Sequence, residues 1–301
     1  MKLAAIDIGS NAARLLISEV ITTAQPKPEF VKISLVRVPL RLGFDVFETG
    51  TISEEKAERF INTIKAYKYL IDVYDVEHLA TAATSAMRDA SNAKEILGRV
   101  KEETGIDIKV ISGEEEATYI YENHFADNLS NLESYLYIDV GGGSTELTFF
   151  SDGKLVTQQS FNIGTIRLLK NQVTQEQWAQ MRNFIREKLR GHHHITAIGS
   201  GGNINKIFSL SKRKEGKALN LEALRNYYKE FSALTIQQRI SLYHLREDRA
   251  DVIVPALLIY INVMNWADAE DIFVPKIGLA DGLVHMLYDR VRSTAAGAGS
   301  S

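Results

Sequence analysis

The chain of 301 residues contains no cysteine. That excludes disulfide frameworks, cysteine-rich zinc sites and cysteine nucleophiles together, and it fits a reducing compartment. A charge bias is also missing: the formal net charge is -3, with 24 % charged residues. Bulk electrostatics therefore point to neither nucleic acid nor an anionic membrane, and a polyanionic ligand would have to be held by local cations and backbone amides. No apolar run reaches transmembrane length; the best, Val252 to Val263, is interrupted by Pro255. The N-terminus has one lysine and then a strand-like segment, without the apolar region of a signal peptide. A soluble cytoplasmic protein is the expectation. Hydrophobic residues, at 45 %, suffice for two ordinary cores, and the length predicts about two domains.

What the chain does have is one acidic-glycine pattern in two copies. Near the start it reads Ala-Ala-Ile-Asp7-Ile-Gly9-Ser10-Asn11 and runs on into Arg14-Leu-Leu-Ile. In mid-chain it reads Leu-Tyr-Ile-Asp139-Val-Gly141-Gly142-Gly143-Ser144-Thr145-Glu146 and runs on into Leu-Thr-Phe-Phe. Each copy is an apolar strand ending in aspartate, a tight turn and a second apolar strand. An internal repeat of this kind predicts two similar domains. Gly- and Ser-rich turns expose N–H groups that cradle phosphate, and an aspartate beside them can hold hydrated Mg²⁺. Two such turns across a cleft would grip a phosphate chain from both sides.

Around these turns the pattern predicts three strands and then alternating helix and strand in each half. In the first half the strands are Lys2 to Ile8, Arg14 to Val20 and Glu29 to Val38, with a turn at Thr22 to Pro28. Leu40 to Thr51 reads as a loop, Ser53 to Tyr74 as a helix, Glu77 to Thr81 as a strand, Ser91 to Thr104 as a helix and Ile106 to Ile111 as a strand. The second half repeats the plan, with strands at Tyr135 to Val140, Glu146 to Phe150 and Lys154 to Phe161. A helix over Gln175 to Leu189 has a capping box from Thr174 to Gln177. The strand Ile195 to Ile198 precedes mainly helical sequence from Leu221 to Asn265, the strand Asp271 to Val274 and a helix over Leu279 to Arg292. The expected fold class is α/β, a mixed sheet covered by helices in each domain. The domains are expected at 1–123 and 124–292, with the boundary near Asn123 to Ser134 and with the closing helix 279–292 free to pack on the first. The tail 293–301 reads as a disordered end or a cloning remnant.

Several further residues could carry chemistry. The stretch Gly199-Ser-Gly201-Gly202-Asn203, between a strand and a helix, is either an anion site or a plain turn. Three consecutive acids open the helix at Ser112-Gly113-Glu114-Glu115-Glu116. Successive helical residues point roughly 100° apart, so they cannot all serve one site. Ser112 and Glu115 have capping-box spacing and Glu114 suits the helix dipole, whereas Glu116 has no local structural reason and could activate a water. Arg88 offers a bidentate phosphate contact or a salt bridge to Asp89. His192 to His194 and Lys212 to Lys214 read as solvated loops, and Trp178 and Trp266 as core residues on helical stripes.

Four of these segments, taken jointly, resemble the exopolyphosphatase / guanosine pentaphosphate phosphohydrolase (Ppx/GppA) family of the actin-like ATPase superfamily. They are Ala-Ile-Asp7-Ile-Gly-Ser-Asn11, Ala82-Ala-Thr-Ser-Ala-Met-Arg88-Asp-Ala, Ile111-Ser-Gly-Glu-Glu-Glu116-Ala and Ile138-Asp-Val-Gly-Gly-Gly-Ser-Thr-Glu146. The resemblance implies two actin-like (ribonuclease H-like) domains with a cleft between them. It implies hydrolysis of the terminal phosphate of inorganic polyphosphate or of the 5′ γ-phosphate of guanosine pentaphosphate, with Mg²⁺ or another divalent cation. Glu116 matches the catalytic base, Asp139 a metal or water-positioning carboxylate, and Glu146 a second catalytic carboxylate. Asp7 would assist Asp139 and Glu146 at the metal. Ser10, Asn11, Arg88, Gly141, Gly142, Gly143 and Ser144 are the phosphate-binding candidates, joined by Gly201 and Gly202. The third motif has Asn203 where the family usually has threonine, and the short two-domain members are the better comparison. A homodimer is allowed by the resemblance, though no residue shows it. A kinase of the same superfamily and a non-catalytic polyphosphate or alarmone sensor remain the alternatives.

Overall fold

The structure is a computed structural model and describes residues 1–22, 28–121 and 134–298. The expected turn at Thr22 to Pro28, but for its two end residues, and the expected boundary near Asn123 to Ser134, but for Ser134, lie outside the described residues. The chain divides into two compact units, Met1–Ser112 with Leu279–Ser301, and Gly113–Gly278.

The first unit opens with three strands, β1 (Lys2–Ile8), β2 (Ala13–Ile21) and β3 (Glu29–Val38). Helices α1 (Leu42–Thr49) and α2 (Glu54–Val73) follow, then β4 (His78–Ala83), α3 (Ser85–Asp89) and α4 (Ala93–Thr104). The sheet order is β3-β2-β1-β4, with β1 antiparallel to β2 and parallel to β4. Leu3 to Ile8 are all buried, the continuous apolar run of a central strand covered on both faces. The apolar stripe Ala57, Phe60, Ile61, Ile64 and Tyr67 of α2 is buried as its helical period predicts. At its end the Tyr67 hydroxyl donates to the Ala13 carbonyl, 3.0 Å away.

Three local expectations are corrected in this unit. The stretch read as a loop over Leu40 to Thr51 contains α1, closed by a left-handed Gly50. The strand expected at Ile106 to Ile111 makes only a single bridge, Val110 to Ala83. Thr81 displaces the ladder there, its hydroxyl donating to the Asp107 carbonyl and accepting from the Lys109 N–H. The closing helix runs on past Arg292 to Ala298, so most of the expected disordered tail is helical and only 299–301 lie outside the described residues.

The second unit begins with α5 (Gly113–Tyr121), followed by β5 (Ser134–Val140), β6 (Thr145–Ser151), β7 (Lys154–Phe161), α6 (Thr165–Leu169) and α7 (Gln175–Lys188). Then come β8 (Ile195–Ser200), α8 (Gly202–Leu210), β9 (Leu219–Asn220), α9 (Leu221–Ala233), α10 (Ile236–Tyr243), α11 (Glu247–Ala250), α12 (Ile253–Ala267) and β10 (Asp271–Phe273). The sheet order is β7-β6-β5-β8-β10-β9. Its first four strands repeat the order and directions of the first unit, with β5 antiparallel to β6 and parallel to β8. Each unit is thus a mixed α/β domain, the fold class expected from the sequence. Helix α5 packs on β6 and β7 of this second sheet. The remaining helix, α13 (Leu279–Ala298), packs on β1, β2 and β4 of the first.

The capping box of α7 forms as expected, Gln177 N–H donating to Thr174 Oγ1 and Thr174 N–H to Gln177 Oε1. Trp178 and Trp266 meet edge to face at 5.8 Å against the apolar core. The helical segment Glu247–Ala267 is long and apolar enough by composition to cross a membrane, which the shorter run weighed from the sequence was not. Its apolar window is 61 % buried inside the protein, and Ile253, Leu257, Tyr260, Val263 and Met264 belong to the core, which accounts for the composition.

Candidate active site

The two glycine turns are built alike. In each, the first glycine N–H closes the turn onto a carbonyl three residues on: Gly9 onto Ala12 at 3.0 Å and Gly141 onto Ser144 at 2.9 Å. In each, the start of a short helix donates N–H groups to the turn. Arg41 and Gly43, at the head of α1, donate to the carbonyls of Asn11 and Ser10. Thr165 and Ile166, at the head of α6, donate to the carbonyls of Gly141 and Gly142. Arg167 adds its Nε to the Gly143 carbonyl at 2.7 Å. In a trans peptide the N–H points opposite to the carbonyl. Tying back three successive carbonyls therefore turns the N–H groups of Gly142, Gly143 and Ser144 to the other side, the arrangement of an anion nest. The close approach of α6 requires Gly164, because a Cβ there would fall 2.4 Å from the Gly142 carbonyl oxygen.

Beside the second turn, pairing across the strands lines up four polar residues. Asp139 on β5 faces Glu146 on β6, Glu146 faces Ser160 on β7, and Asp139 faces Ser200 on β8. Facing residues in register project to the same side of a sheet, so the row reads Ser160, Glu146, Asp139, Ser200. The same row in the first unit reads Arg37, Arg14, Asp7, Ala82. There the acid has its own cation, with Arg14 Nη1 at 2.5 Å from Asp7 Oδ2. The second unit places a glutamate where the first has that arginine.

Helix α5 brings a third acid to this pair. Its first residue, Gly113, fits against β7 only as glycine, since a Cβ would lie 2.3 Å from Ser160 Oγ. One turn on, Glu116 offers an oxygen that lies within 4.8 Å of oxygens from Asp139 and Glu146. Glu116 and Glu146 are buried, and Asp139 is half-buried. A cavity of about 10 Å³, lined in part by Ala117, Asp139, Glu146 and Ser200, lies beside them and has room for about one water-sized sphere. Like charges this close in a low-dielectric site repel unless a cation or proton intervenes. Three carboxylates make an all-oxygen donor set, which fits a hard divalent cation. Beneath the row, Tyr260 of α12 donates its hydroxyl to the Ser200 carbonyl. Complete burial, and then the charge of Asp139, hold this phenol well above its ordinary value, so it stays a neutral donor.

A buried carboxylate cluster beside an anion nest suits a protein that works on phosphate, and the sequence profile of the Ppx/GppA phosphatase family matches residues 21–291. The chain belongs to the Ppx/GppA phosphatase family. A "Bifunctional 3-dehydroquinate synthase/phosphatase" of Fusobacterium nucleatum is 28 % identical over 91 % of this chain, which spans only 44 % of that relative's length. "Exopolyphosphatase 1" of Mycobacterium tuberculosis is 26 % identical, with 94 % of this chain and 87 % of that protein aligned. The crystal structure of the Aquifex aeolicus Ppx/GppA family member has a TM-score of 0.75 at 28 % identity, covering 97 % of this chain and 98 % of its own. An exopolyphosphatase from Cytophaga hutchinsonii has a TM-score of 0.80 at 25 % identity, covering 96 % and 98 %.

Within this Ppx/GppA chain, Glu116, Asp139 and Glu146 come together, with Gly141, Gly142, Gly143 and Ser144 in the adjoining turn. Gly201 has a positive φ of +111°, a Cβ there would crowd the Val140 carbonyl and Asp139 Oδ1, and Gly202 opens α8. The other candidates belong to the first unit. Asp7 is the ion-pair partner of Arg14. Ser10 is buried, its hydroxyl 2.8 Å from that of Ser85. Asn11 accepts the Arg41 N–H through its carbonyl. Arg88, carried on α3, donates Nη1 to the Ile111 carbonyl at 2.9 Å. Sequence reasoning missed Ser160, Gly164, Thr165 and Arg167. The one local signal for the last three was an unexplained glycine after β7, in Asn162-Ile-Gly164-Thr165.

Proposed function

We propose that the chain is a hydrolase that releases the terminal phosphate of inorganic polyphosphate, with the 5′ γ-phosphate of guanosine pentaphosphate as the second substrate to test. The observation that carries this reading is the convergence of Glu116, Asp139 and Glu146 beside a nest whose carbonyls are tied back. The printed name of the Mycobacterium tuberculosis relative supports polyphosphate as the substrate.

In this reading the N–H groups of Gly142, Gly143 and Ser144 hold the terminal phosphoryl oxygens as charge builds on them. Asp139 and Glu146 hold a divalent cation, Mg²⁺ by preference. When bound, such a cation supplies charge neutralisation at the phosphoryl oxygens. Glu116 accepts the proton of the attacking water, and its fixed place on α5 aligns that water. Asp7, Ser10, Asn11 and Arg88 keep the roles that the family resemblance gives them, and the cytoplasmic setting stays part of the proposal.

The test is phosphate release from medium-chain polyphosphate and from guanosine pentaphosphate, for the parent and Glu116→Gln. Removal of a general base lowers the rate about 10²-fold or more, and substrate binding should survive. Equal rates in the two proteins would remove Glu116 from the mechanism. Tight binding without release by the parent would make the chain a sensor.

A further inference from the structure

Both members of the carboxylate pair lean on a serine from the strand outside them. Ser160 Oγ donates to Glu146 Oε1 at 2.8 Å, and Ser200 Oγ donates to Asp139 Oδ1. The register puts these partners side by side, since the four residues stand in one row across β7, β6, β5 and β8. Each serine is itself held. Ser160 is wedged against Gly113, which opens α5: a Cβ on that glycine would lie 2.3 Å from both Cβ and Oγ of Ser160. Ser200 is buried, and the neutral phenol of Tyr260 grips its carbonyl. A hydroxyl has one proton to give. Giving it to one carboxylate oxygen fixes the direction in which that carboxylate faces its neighbour across the ladder.

We propose that Ser160 and Ser200 are positioning residues that orient Glu146 and Asp139 for a divalent cation, one serine to each acid. Ser160 has a second task. Because it touches both Gly113 and Glu146, it ties the position of α5, and so of Glu116, to the carboxylate pair. The proposal rests on the metal-assisted phosphatase reading but not on which phosphate compound is the substrate. Partners behind metal ligands are worth about 10- to 100-fold in affinity or activity.

The experiment uses the full chain with Ser160→Ala, Ser200→Ala and Ser200→Thr. Mn²⁺ binding is followed by the loss of the free-ion electron paramagnetic resonance signal, alongside kcat and KM for polyphosphate. The alanine variants are expected to weaken Mn²⁺ binding about 10-fold and to lower kcat with little change in KM. Ser200→Thr, which keeps the hydroxyl, should recover most of both. Ser200→Cys, close to serine in size and a weak donor, replaces the alanine variant if that does not fold. Alanine variants within about twofold of the parent in Mn²⁺ binding would overturn the proposal. So would equal losses in Ser200→Ala and Ser200→Thr, since packing and not the hydroxyl would then be responsible. Failure of the phosphatase reading is separable, because it appears in the parent as Mn²⁺ binding without phosphate release.

Discussion

Asp139 and Glu146 face each other directly across the β5–β6 ladder, two acids where the equivalent pair of the first unit is Asp7 and Arg14. Opposed like charges on neighbouring strands destabilise a sheet by roughly 0.2–1 kcal/mol. A divalent cation between the two acids, as the proposed function has it, would relieve that repulsion. Glu146→Gln should raise the melting temperature in chelator, and Mg²⁺ should stabilise the parent but not the variant. Calorimetry with and without Mg²⁺ checks both halves; a variant that melts lower than the parent in chelator would refute the repulsion.

The first unit predicts the reverse. Asp7 is buried and Arg14 is its ion-pair partner, at 2.5 Å. Arg14→Ala leaves that acid without its cation and should cost about 2–3 kcal/mol. Adding Asp7→Asn to the same chain should recover part of the loss. Urea unfolding of the two variants measures it, and no recovery in the double variant would show that the arginine acts by packing alone.

Gly164→Ala tests the brace behind the nest. The new Cβ would meet the backbone of Gly142 and Gly143 at 2.4–2.5 Å, where no flexible side chain can yield. Overpacking of this kind costs about 1–3 kcal/mol. Because the atoms that must shift are those of the nest, KM for polyphosphate should rise by more than the stability loss explains. An unchanged KM in a folded variant would separate α6 from substrate binding.

Asp45 of α1 gives a pH prediction. Burial raises its carboxyl, but bonds from Lys56 and from the Ser53 hydroxyl and N–H outweigh that and hold it below its ordinary 3.8. A folded-state value below the unfolded one stabilises fully above 3.8 and is lost as the pH falls through the lowered value. Asp45→Asn should therefore cost about 1 kcal/mol near neutrality, with the gap to the parent narrowing below 3.8. Denaturant unfolding at about pH 7 and about pH 3 reads the difference. A gap that stays constant would mean that the carboxylate charge contributes nothing.

Much of the site was legible because its residues are adjacent in the chain. Asp139 to Glu146 is a single strand-turn-strand segment, so its glycines and acids announce themselves together. The long helices α2 and α7 were legible for another reason, since period and capping box are local signals. The helices α1 and α6 were not. Each is short, and each is held at its head by N–H bonds to a turn far back in the chain, which no periodicity records. The strand expected at Ile106 to Ile111 failed through a single side chain, because Thr81 took the backbone partners that a ladder would have used.

By itself, the sequence determined that two α/β domains repeat one acidic turn, and that Glu116 is the acid in its triplet without a local reason. Those facts live in patterns a few residues long. Only the tertiary structure decided that the repeated turns differ in charge, because the partner of each aspartate is fixed by strand register. It also decided that serines from two further strands hold the carboxylates, and that short helices tie back the turn carbonyls. Such contacts join residues from 7 to 61 positions apart through pairing and close packing, and nothing in the local pattern at either end reports them.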